Sequence, residues 1–153
     1  MKSKEASYLI LVIEDSDFDF KSIMKSFNKC GFKNIVHRIT NGDNALDYLF
    51  NRGEFVDPIA SPSPDLIFLD LNLPGSDGHE ILEELKNDPK MRMIPVVIMT
   101  SSGNAQDIQN CYARGANSYV IKPTSSEGFL KAIQGLNDYW FKLSILPTTM
   151  RTP

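Results

Sequence analysis

Leu66-Ile67-Phe68-Leu69-Asp70-Leu71-Asn72-Leu73-Pro74-Gly75 carries an apolar run straight into a carboxylate and then into a Pro-Gly break. A short continuous apolar run between turn signals reads as a strand buried on both faces. An unpaired carboxylate is costly inside such a sheet, so Asp70 must lie at the strand's mouth. Three more runs end the same way: Leu9-Ile10-Leu11-Val12-Ile13 in Glu14-Asp15, Pro95-Val96-Val97-Ile98-Met99 in Thr100, and Ser118-Tyr119-Val120-Ile121 in Lys122-Pro123. Together these strands deliver three acids, a hydroxyl and an amine to their carboxyl ends.

The segments between them have helical periodicity. Phe20, Ile23, Met24 and Phe27 recur at helical spacing before Gly31, and Asn34 to Ile39 reads as a less apolar strand nearer an edge. A turn at Asn41-Gly42 leads into a helix carrying Leu46, Leu49 and Phe50, and residues 54–64, with three prolines, read as a surface loop. A helix from Gly78 turns Ile81, Leu82 and Leu85 inward, with Asp77 as its N-cap. Ser101-Ser102-Gly103 opens a helix with a buried stripe of Ile108, Cys111 and Tyr112. Thr124 and Glu127 have capping-box spacing before a last helix that faces inward through Phe129, Ile133, Leu136 and Trp140. Five βα units predict an α/β fold, a doubly wound parallel sheet with helices on both faces. Ligands of such sheets bind outside the carboxyl ends of the strands, where Glu14, Asp15, Asp70, Thr100 and Lys122 all fall.

The 153 residues suit one core, predicted over residues 8–146, with a flexible N-terminus at 1–7 and a C-terminal tail at 147–153. The net charge of −3 gives no electrostatic reason to bind nucleic acid or an anionic membrane. A polar N-terminus without a signal peptide, and no run near 18 apolar residues, predict a cytoplasmic protein. Cys30 and Cys111 are far apart and lack metal-site spacing, so both are expected to be reduced structural thiols. His37 and His79 read as ordinary strand or surface residues.

Three carboxylates at one edge repel one another unless a cation joins them, and hard oxygen ligands with room for water favour Mg²⁺. Such a cation neutralises a phosphoryl group while one carboxylate oxygen acts as in-line nucleophile. Asp70 has the access, Thr100 can donate to one phosphoryl oxygen, and Lys122 can pair with another as a compact charge.

With Glu14-Asp15, the Leu69-Asp70-Leu71-Asn72-Leu73-Pro74 segment, Thr100 and Lys122-Pro123, the chain resembles the receiver domain of two-component response regulators. The intervals of 30 residues from Asp70 to Thr100 and 22 from Thr100 to Lys122 agree with that family. Within it, the chain is most similar to the stand-alone regulators paired with cyanobacterial-type phytochrome histidine kinases. Those share a lengthened segment before the phosphorylated strand and a helix end like Tyr139-Trp140-Phe141 with a later Leu146-Pro147. The resemblance implies a flavodoxin-like sheet of order 2-1-3-4-5 with an extended C-terminal helix or tail. It implies that Asp70 accepts phosphate from a partner kinase's phosphohistidine, making the chain a signalling module and not an enzyme. Asp15 and Asp70 would hold Mg²⁺ directly, Asn72 through its backbone carbonyl and Glu14 through water. Tyr119 would rotate inward as the aromatic partner of Thr100, and Lys122–Pro123 would be a cis peptide. About 30 residues follow Lys122, too few for an output domain, so the signal is expected to leave by binding an unidentified downstream partner.

Two rival readings fit less well. An aspartyl-nucleophile phosphatase using Mg²⁺ needs a second acid where Asn72 stands, and a flavin carrier needs a phosphate cradle where Glu14-Asp15-Ser16-Asp17 would repel one. The C-terminal Tyr139, Trp140, Phe141, Leu143, Ile145 and Leu146 are more apolar than one helix face can bury. They are expected to form a homodimer or kinase-docking interface, with folding back on the domain as the alternative.

Overall fold

The computed structural model describes residues 7–147; the outer parts of both terminal segments lie outside that range. Five parallel strands, β1 (Leu9–Ile13), β2 (Ile35–Ile39), β3 (Leu66–Leu69), β4 (Val96–Thr100) and β5 (Ser118–Ile121), form one sheet of order β2-β1-β3-β4-β5. Between and after them run α1 (Asp17–Lys29), α2 (Gly42–Leu49), α3 (Gly78–Asn87), α4 (Ala105–Ala113) and α5 (Ser126–Asn137). The first crossover runs from β1 to β2 and the second returns past β1 to β3, so the chain reverses direction across β1 and opens a crevice at the carboxyl ends of β1 and β3. Glu14, Asp15 and Asp70 stand at that crevice.

The pleat splits the core into two. Leu11, Ile13, Ile67, Leu69, Val96 and Ile98 pack with α2, α3 and Cys111 of α4 on one face. Their neighbours Ile10, Val12, Leu66, Phe68, Val97 and Met99 pack with α1 and α5 on the other. Successive strand side chains point to opposite faces, so β1, β3 and β4, buried on both, must read as unbroken apolar runs. β2 and β5 are edges and are only partly covered. Two glycines permit close backbone approach at the crevice. A Cβ on Gly78 would meet the Asp70 carbonyl oxygen at 2.5 Å and the Leu71 Cα at 2.6 Å, and one on Gly42 would collide with the Ser76 carbonyl.

Local chemistry explains where the helices begin. Ser16 caps α1 by accepting from the Asp19 N–H, and Asp77 with Glu80 forms a reciprocal capping box on α3. Two expected starts move. α4 begins after Asn104, whose side chain accepts from Gln106 and Asp107, and Ser101-Ser102-Gly103 is the loop before it. Ser125, rather than Thr124, caps α5, because its hydroxyl accepts the Gly128 N–H at 3.0 Å. Tyr112 is also not part of a buried stripe: it lies exposed with its hydroxyl accepting from the Tyr119 N–H, and of the predicted three only Cys111 is fully buried.

α5 continues into π-helical turns at Asp138–Leu143. The wider pitch divides the apolar C-terminal residues. Trp140 and Leu146 are buried in the α1/α5 core, and Phe141 packs against Tyr8 and Phe32. Tyr139, Leu143 and Ile145 remain exposed, at 50%, 74% and 93%. Trp140 and Leu146 therefore fold back on the chain itself, and only part of the expected interface is available on the surface. Among the described residues no helix is long and apolar enough to cross a membrane.

Candidate phosphoryl-acceptor site

Lys122, on the residue after β5, is the centre of the site. Its Nζ lies 2.7 Å from Glu14 Oε1, 2.7 Å from Asp19 Oδ2 and 3.0 Å from Asp70 Oδ2. The Lys122 backbone N–H donates to the Thr100 carbonyl at 2.7 Å, which fixes the stem of the side chain on the sheet edge. The Lys122–Pro123 peptide is trans, not cis as expected. Trans is the intrinsically favoured isomer of an X-Pro bond, by about 0.5–1 kcal/mol, and the lysine reaches all three acids from it.

Asp70 and Glu14 are each held by a second, local donor. Asp70 Oδ1 accepts from the Asn72 N–H at 3.3 Å, and Glu14 Oε2 accepts from the Ser16 N–H at 3.1 Å. Arg38 Nε donates to the Glu14 carbonyl at 3.1 Å, and its guanidinium also meets the exposed Asp17 and lies over the Phe20 ring. Burial raises the Glu14 carboxyl to about 7, against the hydrogen bond from Lys122 and helped by the charge of Asp70. For Lys122, burial works towards the neutral amine, but the bonds to Asp19 and Glu14 and the charge of Asp70 prevail and hold it above the ordinary lysine range.

Carboxylate oxygens of Glu14, Asp15 and Asp70 lie within 4.8 Å of one another. Asp15 is exposed and Asp70 and Glu14 are buried, so the cluster offers hard oxygen donors with one side open to solvent, a donor set suited to a hard divalent cation. Asn72 is exposed beside it on a groove of 520 Å³ that Asp15, Asp77, His79 and Asp107 also line. Thr100 is fully buried at the end of β4, and its Oγ1 has no hydrogen-bond partner among the described residues. A buried hydroxyl without a partner is uncommon and costly, and it fits a ligand oxygen as its missing partner.

Tyr119 is half-buried on β5, packed against the α2/α3/α4 core, and its hydroxyl donates to the Ser102 carbonyl at 2.9 Å. Burial raises its phenol, with the Ser102 bond opposing. The Ser102 hydroxyl in turn donates to Asp107 Oδ2 at 2.7 Å, and His79 Nε2 lies 3.2 Å from Asp107 Oδ1. That bond from Ser102, and the His79 contact after it, hold the Asp107 carboxyl below its ordinary value. The structure thus brings Glu14, Asp15, Asp70, Asn72, Thr100, Tyr119 and Lys122 to one mouth. Sequence reasoning missed Asp19, whose signal was a further acid one helical turn beyond Asp15. It also missed the Ser102–Asp107–His79 chain, where His79 had read as unremarkable.

Residues 10–134 match the response regulator receiver domain. The chain is 35% identical over 137 residues to the probable methanogenesis regulatory protein FilR2 of Methanothrix harundinacea (strain 6Ac), covering 89% of this chain and 85% of that one. It is 34% identical over 139 residues to the response regulator Rcp1 of Synechocystis sp. (strain ATCC 27184 / PCC 6803 / Kazusa), covering 91% and 92%. A crystal structure of Rcp1 in its Mn(2+)-bound form superposes with a TM-score of 0.85 at 34% identity, over 92% of this chain and 99% of that one. The phosphorylated cyanobacterial phytochrome response regulator RcpA superposes with a TM-score of 0.87 at 33% identity, over 94% and 100%. This chain belongs to the response regulator receiver family, signalling domains that accept a phosphoryl group. Its strand order and its likeness to the stand-alone phytochrome regulators agree with the expectation from sequence.

Proposed function

We propose that Asp70 is the phosphoryl acceptor, and that residues 8–146 act as one receiver domain flanked by tails. The observation that carries the assignment is the buried, unpartnered Thr100 hydroxyl at the same sheet edge as Asp70 and Lys122. A carboxylate oxygen of Asp70 attacks the phosphorus of a kinase phosphohistidine. The new O–P bond replaces the P–N bond, and the imidazole nitrogen leaves with the electron pair. Thr100 donates to one phosphoryl oxygen and Lys122 to another, and Tyr119 moves inward behind Thr100. Glu14, Asp15, Asp70 and the Asn72 carbonyl would hold Mg²⁺, which when bound supplies positive charge to the phosphoryl oxygens.

The domain stores a signal rather than turning over a substrate. Its donor is a cytoplasmic sensor histidine kinase of phytochrome type, supported by the likeness to Rcp1 and RcpA. Exposed Tyr139, Leu143 and Ile145 support a homodimer contact beyond α5. Sedimentation at micromolar concentration tests it: Leu143→Asp should yield monomer, and an unchanged mass distribution would refute the contact.

Incubation with acetyl phosphate and Mg²⁺ tests the acceptor. Intact-protein mass should rise by one phosphoryl group in the wild type and stay constant in Asp70→Asn. Equal labelling of both would refute the assignment.

A further inference from the structure

An ammonium group has three N–H donors, and in Lys122 three carboxylates engage them. The lysine side chain is only 8% exposed, so water offers it little alternative. A phosphoryl oxygen on Asp70 can reach Lys122 only when one carboxylate lets go. The three differ in freedom. Asp70 bears the phosphoryl group on one oxygen and keeps the other as a carbonyl acceptor for Lys122. Glu14 is 3% exposed and is held a second time by the Ser16 N–H. Asp19 is 26% exposed, and its carboxylate has no second partner among the described residues. It sits in the first turn of α1 and can rotate into water for the loss of one ion pair.

We propose that Asp19 is a positioning residue that competes with the phosphoryl group for Lys122, filling in the resting protein the donor that a phosphoryl oxygen takes after Asp70 is phosphorylated. The inference rests on the acceptor role of Asp70. Phosphorylation then exchanges one anion for another at Lys122 rather than adding a new contact, and it releases the first turn of α1 from the segment after β5. Asp17 serves as an internal comparison. It lies in the same helical turn with the same formal charge, but pairs with Arg38 at 2.9 Å instead of Lys122.

The probe is BeF₃⁻, which coordinates a carboxylate oxygen as a tetrahedral phosphoryl mimic and breaks no bond of the protein. Calorimetric titration of the full chain at saturating Mg²⁺ should show Asp19→Asn binding it about fivefold tighter, the scale of freeing a charge-assisted donor from a partly exposed pair. Asp19→Ala carries the same expectation, with no amide oxygen left to hold Lys122. Asp17→Asn should bind as wild type does, and Asp19→Glu should return towards wild type. Unchanged or weaker binding in both Asp19→Asn and Asp19→Ala would overturn the competition, as would equal tightening in Asp17→Asn, which would mark a general charge effect. Acetyl phosphate labelling of the wild type runs alongside. A wild type that neither labels nor binds BeF₃⁻ overturns the acceptor role and this inference with it, whereas a labelled wild type with indifferent Asp19 variants overturns this inference alone.

Discussion

Thr100 pays a stability cost for its place in the site. Its buried hydroxyl has no partner among the described residues, and leaving such a group unsatisfied costs about 1–3 kcal/mol. Thr100→Val keeps the shape and removes the polar atom. Urea denaturation should show the unphosphorylated variant more stable by about 1 kcal/mol, the lower end of that range, while its response to phosphorylation is blunted. Glu14 makes the opposite kind of statement, through pH. Its folded carboxyl is raised by burial to about 7 from an ordinary 4.5, so the folded state holds the proton more tightly than the unfolded chain. That contribution to stability is fully present below about pH 4.5 and is lost as pH rises through about 7. In metal-free buffer, Glu14→Gln should flatten this part of the stability profile. A divalent cation needs the ionised form, so in the wild type its affinity should climb over the same interval.

At the scale of elements, the start of α3 and the end of β3 are one structure. The Gly78 N–H donates to the Leu71 carbonyl at 3.0 Å, and a Cβ there would press on the backbone of Asp70 and Leu71. Neither neighbour is a flexible side chain that could swing away. Gly78→Ala should therefore cost about 1–3 kcal/mol in thermal or urea unfolding, as overpacking does, and slow acetyl phosphate labelling by displacing Asp70. Unchanged labelling would show that the strand end yields without moving its carboxylate. The elements also show where sequence is readable. β1, β3 and β4 declared themselves because burial on both faces demands unbroken apolar runs, and the acids that follow β1 and β3 and the hydroxyl that ends β4 were conspicuous for the same reason. Asp19 was not, because an acid in the first turn of a helix already has an ordinary role opposite the helix dipole. The choice of Ser125 over Thr124 as cap lay between adjacent hydroxyls, which spacing alone separates poorly. The division of the C-terminal apolar residues depended on the π-helical pitch after Asn137, whose Ser144 N–H to Tyr139 carbonyl bond of 2.7 Å closes a wider turn than periodicity assumes.

Over the whole molecule, the sheet separates two cores, and neighbouring residues of one strand belong to different ones. Tyr119 packs with the α2/α3/α4 side and Val120 with the α1/α5 side. The same alternation carries beyond the strand ends. Thr100 follows Val96 and Ile98 on the side of Tyr119, while Lys122 follows Val120 and reaches Asp19 on α1. A group bonded to Asp70 stands at the rim where the partition ends, with one arm in each compartment. A phosphoryl group there would meet the two compartments through different side chains, Thr100 on one face and Lys122 on the other. Lesions in opposite halves should then sum in their effect on stability, while lesions within one half should interfere with each other.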